Sequence, residues 1–325
     1  MVRPRTAWVK PLCRNVENDG AMSAGGSVRA CGAAAVSLLV CACTAAPAAP
    51  RRVAAASIAP LADLVARVAG DSWTVRVIVP PGRSPHVFEP TPGEVRRIAN
   101  ASLIVTVGAG YDEWAASLAR ASASSAVLHD AGATVGITAW SRGAEEAEGV
   151  LGHDPHWWLS PPLAARALGP LAERFATLDP AGAAAYRARA AEARASLASL
   201  DGELSTLLAP VRGRAFLSAH AAWAYFADRY GLRAVGSIEP VPGREPSPRA
   251  LVSLIHAARE ERLATLFTEP QFPDSSARIV AREAGVAVRE LDPIGGVEGR
   301  RTYEELLRFD ARAFREGLAA ERPRA

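Results

Sequence analysis

Residues 181–208 form one unbroken run, free of proline and rich in Ala, Arg and Glu. Within it Tyr186, Ala190, Ala193, Leu197, Leu200, Leu204 and Leu207 recur at alternating spacings of four and three. That rhythm places them in one stripe on a single α-helix. At 1.5 Å per residue the helix would be roughly 40 Å long. Asp179-Pro180 opens the run and Pro210 stops it. A surface helix or a coiled-coil seam would also carry such a stripe. One stripe of this length, set between two halves of different character, fits an internal brace better.

The flanking halves alternate short β-like runs with helical ones, the pattern of a parallel sheet covered by helices. In the first half, strands are expected at 53–57, 74–79, 103–107 and 126–129, with helices at about 60–69, 92–99 and 112–121 between them. In the second, strands are expected at 215–218, 233–238, 264–268 and 286–291, with helices at about 221–230, 247–260, 275–284 and 302–318. Thr91-Pro92-Gly93-Glu94 has capping-box spacing and proline at the first helical position. Ser160-Pro161 and Ser247-Pro248 open helices in the same way. The expected layout is α/β: an N-terminal lobe over 52–178, a connecting helix over 179–209 and a C-terminal lobe over 210–325.

The start of the chain reads as a targeting segment. Arg29 precedes an apolar run from Ala30 to Ala42, too short to span a bilayer comfortably but suited to a signal-peptide core. It ends in Val40-Cys41-Ala42-Cys43, which resembles a bacterial lipobox with Cys43 as lipid acceptor. Residues 1–43 are thus expected to be a leader and 44–51 an Ala/Pro tether, with translation starting at Met1 or Met22. The expected location is extracytoplasmic, in the periplasm or on the outer face of the cytoplasmic membrane, held by lipid alone. All four cysteines (Cys13, Cys31, Cys41, Cys43) lie in this leader, so any metal site in the body must use His, Asp or Glu. The formal charge of +3 also arises there, from Arg3, Arg5, Lys10, Arg14 and Arg29 against Glu17 and Asp19. The body is then electrically balanced, which gives no reason to expect a nucleic-acid partner.

The chain has six histidines. Three of them, His86, His156 and His220, fall in loops expected at one end of the α/β halves, and Asp292 falls in a fourth. Each is some seventy positions from the next, so they can meet only if a large fold gathers several segments. In open parallel sheets ligands bind beyond the carboxyl ends of the strands, where such loops lie. The run Pro80-Pro81-Gly82-Arg83-Ser84-Pro85 stiffens the approach to His86, and Trp157 and Trp158 stand ready to shield His156 from water. Imidazoles with one carboxylate suit a borderline cation such as zinc. A lone histidine near a strand end is more often a surface or hydrogen-bonding residue; the joint placement raises the metal reading. His129 and His256 lack this placement and read as structural or exposed, and His153 as a non-ligand. Glu269 ends a strand at the same edge and reads as an acceptor fixing a histidine tautomer, though a ligand or helix-capping role stays open.

Five stretches carry a family resemblance: Pro85-His86-Val87-Phe88-Glu89-Pro90, Asp154-Pro155-His156-Trp157-Trp158-Leu159-Ser160-Pro161, Ser218-Ala219-His220-Ala221-Ala222-Trp223-Ala224-Tyr225-Phe226, Thr268-Glu269-Pro270-Gln271-Phe272 and Leu291-Asp292-Pro293-Ile294-Gly295. In this order and at these distances the chain resembles, over about 53–318, the solute-binding proteins of bacterial ABC importers for zinc and manganese. The resemblance implies two α/β lobes joined by one long rigid helix, with metal bound in the cleft between them. By position His86 and His156 match the ligands of the first lobe, and His220 and Asp292 those of the second. It further implies delivery of the ion to an ABC permease and its ATPase by a monomer without enzymatic activity. Manganese-carrying members tend to have a carboxylate at the third position; His220 there favours Zn²⁺ over Mn²⁺. The loop at 141–149 is short, mildly acidic and lacks the histidines of many zinc-type relatives. Histidine ligands must be unprotonated, so affinity is expected to fall below about pH 6. The alternatives are a zinc hydrolase with three histidines on the metal and Glu269 as general base, and a manganese-type binding protein or adhesin. Against the hydrolase stand the missing His-Glu-x-x-His helix and a four-ligand site that leaves no position for water.

Overall fold

A computed structural model of the chain describes residues 51–121, 126–137, 154–240 and 242–320. The expected leader with Cys43, the tether up to residue 50, the acidic stretch 141–149 and His153 lie outside these residues. The described residues belong to one compact unit starting at Ala49. Among them no helix is long and apolar enough to cross a membrane.

The first half contains β1 (Arg52–Ala56), α1 (Ala59–Ala69), β2 (Trp73–Val77), α2 (Pro92–Ile98), β3 (Ala101–Thr106), α3 (Glu113–Ala121), β4 (Val127–Asp130), α4 (Ala131–Val135) and α5 (Pro161–Leu178). The long helix α6 spans Ala183–Leu208. The second half contains β5 (Ala215–His220), α7 (Ala224–Tyr230), β6 (Arg233–Glu239), α8 (Pro248–Glu260), β7 (Thr265–Thr268), α9 (Ser275–Ala284), β8 (Ala287–Glu290) and α10 (Tyr303–Ala319). Each half has a four-stranded sheet, ordered β2-β1-β3-β4 and β6-β5-β7-β8, and every pairing is parallel. The two sheets thus share one topology. Central strands covered on both faces must be apolar throughout. Accordingly Ala54, Ala55 and Ala56 of β1 are wholly buried, and every residue of β5 is buried.

The expected alternation matches the structure strand for strand, with three local differences. Strand β5 runs on to His220, and α7 begins only at Ala224. His220 is therefore the last ladder residue, paired with Glu239, rather than a residue of the loop beyond the strand. The short α4 has no periodic signature to read; Asp130 caps it, accepting from the Ala133 amide at 2.9 Å, and Gly136 ends it at φ 85°. Ser160 and Asp179 precede helical segments without capping them through their side chains. Capping boxes do close on α2, through Thr91 and Glu94, and on α10, through Thr302 and Glu305.

Helix α6 buries Tyr186, Ala190, Ala193, Leu197, Leu200 and Leu204; at its end Leu208 is buried and Leu207 only half-buried. Its first turns belong to the first half. Trp73 Nε1 donates to Tyr186 Oη at 2.9 Å, and Arg189 Nε to the Val68 carbonyl at 2.8 Å. Its last turns belong to the second, where Asp201 accepts from Arg229 at 2.8 Å and Glu203 from Arg308 at 2.9 Å. One apolar cluster runs along it, from Trp73 and Phe175 to Phe216 and Phe314. The two sheets are thus joined by a continuous packed core as well as by a helix.

Candidate metal site

His86 lies in a single helical turn, Pro85–Val87, after β2. Trp114 Nε1 holds that turn by donating to the Pro85 carbonyl at 3.1 Å. Arg83, adjacent to the site in sequence, turns away: its guanidinium lies 4.9 Å from the Phe88 ring and 3.9 Å from Glu94.

His156 is wholly buried. Asp154 takes both its backbone N–H, at 2.8 Å, and its Nδ1, at 2.6 Å, on one oxygen. An acidic side chain bonding the amide two residues on is an Asx turn, so the Asp-Pro-His spelling itself carried this signal. The two tryptophans divide their work. Trp157 Nε1 ties the loop to the sheet through the Val107 carbonyl at 3.0 Å. The Trp158 ring packs 5.2 Å from His156, and its Nε1 donates across to the Pro293 carbonyl at 2.8 Å. Tyr303 Oη donates back to the Trp158 carbonyl at 2.5 Å, so two bonds link the His156 loop to the second half.

His220, at the carboxyl end of β5, has Nδ1 2.6 Å from Glu269 Oε2. Trp223 Nε1 donates to Glu269 Oε1 at 2.9 Å. Glu269 therefore sits behind the imidazole, on the side away from Nε2. There it orients the ring; it does not face the space in front of Nε2 where a general base would act.

The Asp154 hydrogen bond at Nδ1 of His156 and the Glu269 carboxylate 2.6 Å from Nδ1 of His220 both favour a proton on Nδ1, which leaves both Nε2 atoms as lone-pair donors. His156 Nε2 is 3.1 Å from His86 Nε2 and 3.3 Å from His220 Nε2. Zinc–nitrogen bonds of about 2.0–2.1 Å in a tetrahedron set ligand separations of about 3.3–3.4 Å. The two separations from His156 thus match two edges of that tetrahedron, and all three ligand nitrogens lie within 4.8 Å of one another. Tyr111 packs edge-on against His86 at 4.5 Å and Phe272 against His220 at 4.8 Å, restricting both rings. His86 keeps partial access to solvent.

Among the described residues, the group of three or more His, Cys, Asp or Glu residues whose ligand atoms all lie within 4.8 Å of one another is His86, His156 and His220. Asp292 does not join them. Its Oδ1 accepts from Gln271 at 2.8 Å, the Ile294 amide at 3.1 Å and the Gly295 amide at 2.9 Å. Its Oδ2 is 3.1 Å from Arg300 Nη1. Local donors thus compete for the carboxylate that sequence position assigned to the site. Asp154, Tyr111, Gln271 and Arg300 were missed as site residues. His256 is exposed, and His129 is a buried residue of β4 away from the cluster.

Burial, reinforced by the neighbouring imidazoles, holds His86 well below the ordinary histidine range; burial and His220 do the same for His156. Both rings therefore stay neutral into acid, and proton competition for the metal moves to lower pH than an exposed imidazole would give. The same shift has a stability consequence. Below the unfolded value of about 6.5, the unfolded chain binds protons that the native chain refuses, so stability falls as pH falls. Urea unfolding of chelator-treated protein is expected to show a midpoint that drops between pH 7 and pH 5. The slope should lessen in His156→Ala; an unchanged slope in that variant would remove the buried imidazole as its cause.

Known proteins resemble this chain over most of its length. The chain is 28% identical over 295 residues to the high-affinity zinc uptake system protein ZnuA of Paracoccus denitrificans, covering 79% of this chain and 89% of that one. It is 26% identical over 267 residues to the manganese-binding lipoprotein MntA of Halalkalibacterium halodurans, covering 80% and 86%. Among solved structures, a zinc-bound ZnuA with residues 138–173 deleted superposes with a TM-score of 0.73 at 31% identity, covering 84% of this chain and all of that one. The sequence model of the periplasmic zinc-uptake complex component A matches residues 55–317, and with two like-ordered parallel sheets on one long helix the chain belongs to that family of zinc/manganese ABC solute-binding proteins.

Proposed function

We propose that this protein captures a divalent transition metal outside the cytoplasm, zinc in preference to manganese, and hands it to an ABC permease driven by its ATPase. His86, His156 and His220 hold the ion through Nε2, and Asp292 is the fourth ligand once it exchanges a present partner for the metal. Glu269 and Asp154 fix the tautomers of His220 and His156 from behind. The protein works as a monomer, tethered by lipid on Cys43, with no nucleic acid and no covalent chemistry.

The observation that carries this reading is the convergence of three imidazole Nε2 atoms at 3.1 and 3.3 Å steps in a largely buried pocket. Three nitrogen donors favour zinc, because manganese prefers oxygen-rich shells. The matching zinc-uptake relatives support the same choice. A hydrolytic reading loses its base, since Glu269 is spent on His220 and Trp223. Elemental analysis of protein purified without chelator or added metal is expected to give one zinc per chain. Manganese at that stoichiometry would overturn the preference, and no transition metal even after saturation and desalting would overturn the site.

A further inference from the structure

Arg300, a cation held at the Asp292 carboxylate, has no part in the proposed delivery. Its Nη1 lies 2.7 Å from Glu290 Oε1 and 3.1 Å from Asp292 Oδ2, so a single nitrogen is shared between two carboxylates. The guanidinium stacks 4.3 Å from the Phe309 ring centroid and is largely shielded from solvent, while Asp292 is almost fully buried. The loop is shaped to return the chain to this point. The Gly296 amide donates to the Arg300 carbonyl at 2.9 Å and the Arg300 amide to the Val297 carbonyl at 3.0 Å. Gly295 has φ 64°, and a Cβ there would come within 2.7 Å of the Arg300 carbonyl oxygen, so both its backbone angle and its close approach require glycine.

Oδ1 of Asp292 already accepts three hydrogen bonds, which leaves Oδ2 as the oxygen best able to serve a cation. Arg300 occupies that oxygen. A guanidinium never deprotonates in a protein, so its charge is permanent. It withdraws electron density from the carboxylate and repels a nearby dication.

We propose that Arg300 is a positioning residue that sets how readily the metal is let go, because its guanidinium competes with the ion for Asp292 Oδ2. Glu290 tempers this competition by sharing the same nitrogen. The inference rests on the reading of Asp292 as fourth ligand. It gives a tight three-histidine site a built-in means of release without a large movement of the halves, which their common core resists.

The test is a chelator-competition titration with Zn²⁺, with dissociation followed by stopped-flow capture in a chromophoric chelator. Wild type, Arg300→Gln, Glu290→Gln, Asp292→Asn and the double variant Asp292→Asn/Arg300→Gln are compared. Arg300→Gln is expected to bind zinc about tenfold more tightly and release it correspondingly more slowly. Glu290→Gln should do the opposite, since Arg300 then turns wholly to Asp292; this exposed substitution keeps the test alive if Arg300→Gln fails to fold. In the Asp292→Asn background the effect of Arg300→Gln should shrink below about twofold, a coupling that a merely structural role would not produce. Equal or weaker binding by Arg300→Gln, or an effect undiminished without the Asp292 charge, overturns the proposal. Wild-type binding unaffected by Asp292→Asn overturns it too, while leaving the three-histidine site standing. Failure of the wild type to bind zinc at all overturns the functional reading itself.

Discussion

Replacing His220 by Ala is expected to weaken zinc binding by three orders of magnitude or more, about 4 kcal/mol or beyond at roughly 1.4 kcal/mol per tenfold. Two losses combine. One Nε2 donor disappears from a face whose other two members stand 3.1 Å apart. Glu269 also loses the Nδ1 partner that lay 2.6 Å away and is left with Trp223 alone. A carboxylate that is nearly fully buried and loses a partner costs further free energy. The fold should nonetheless persist, because His220 is the terminal residue of β5 and the ladder bonds are made by its backbone. Isothermal titration with circular dichroism in parallel checks both halves of the statement. Unchanged zinc affinity would exclude His220 from the site, and loss of the far-ultraviolet spectrum would make it a folding residue.

The largest expected effect on stability is that of Phe314→Ala, at about 3–5 kcal/mol. Phe314 on α10 is fully buried and central to an aromatic cluster. Its ring lies 5.0 Å from Phe216, 5.3 Å from Trp223, 5.1 Å from Phe226 and 4.9 Å from Phe267. Removing it leaves a cavity where sheet, α7 and α10 meet and which no single neighbour can fill. The consequence reaches the site by a short route. Trp223 is in the cluster and donates to Glu269, and Glu269 holds His220. A loosened Trp223 should lower zinc affinity by an amount well short of the His220→Ala loss. Urea unfolding measures the first effect and titration at a temperature where the variant is folded measures the second. A loss of stability below 1 kcal/mol would mean that the cluster repacks around the gap.

Much of this arrangement was legible in the residues. The β segments announced themselves as short apolar runs between turn-forming residues, and α6 by its four-and-three spacing. His86, His156 and His220 each stand just past a strand or just before a helix, where open parallel sheets gather ligands. What was hard to read has a common cause. Helix α4 is only five residues long and is defined by its caps. The end of β5 shifted by two residues, because its last ladder bonds depend on β6, which lies thirteen positions further on. The engagement of Asp292 depends on Gln271 and Arg300, and no local spacing marks either as a partner.

Composition, periodicity and motif spacing by themselves determined two parallel α/β halves, the helix that braces them and three imidazoles in loops at the ends of the strands, because these follow from local propensity and from which residues must be buried. Only the tertiary structure decided that those imidazoles converge, with His156 Nε2 at 3.1 Å from that of His86 and 3.3 Å from that of His220. It likewise decided that Asp154 and Glu269 face them from behind, and that Asp292 is held by Arg300 rather than joined to the cluster. Distances between atoms some seventy positions apart are set by how the sheets pack against α6 and against each other. A one-dimensional pattern carries no record of that packing.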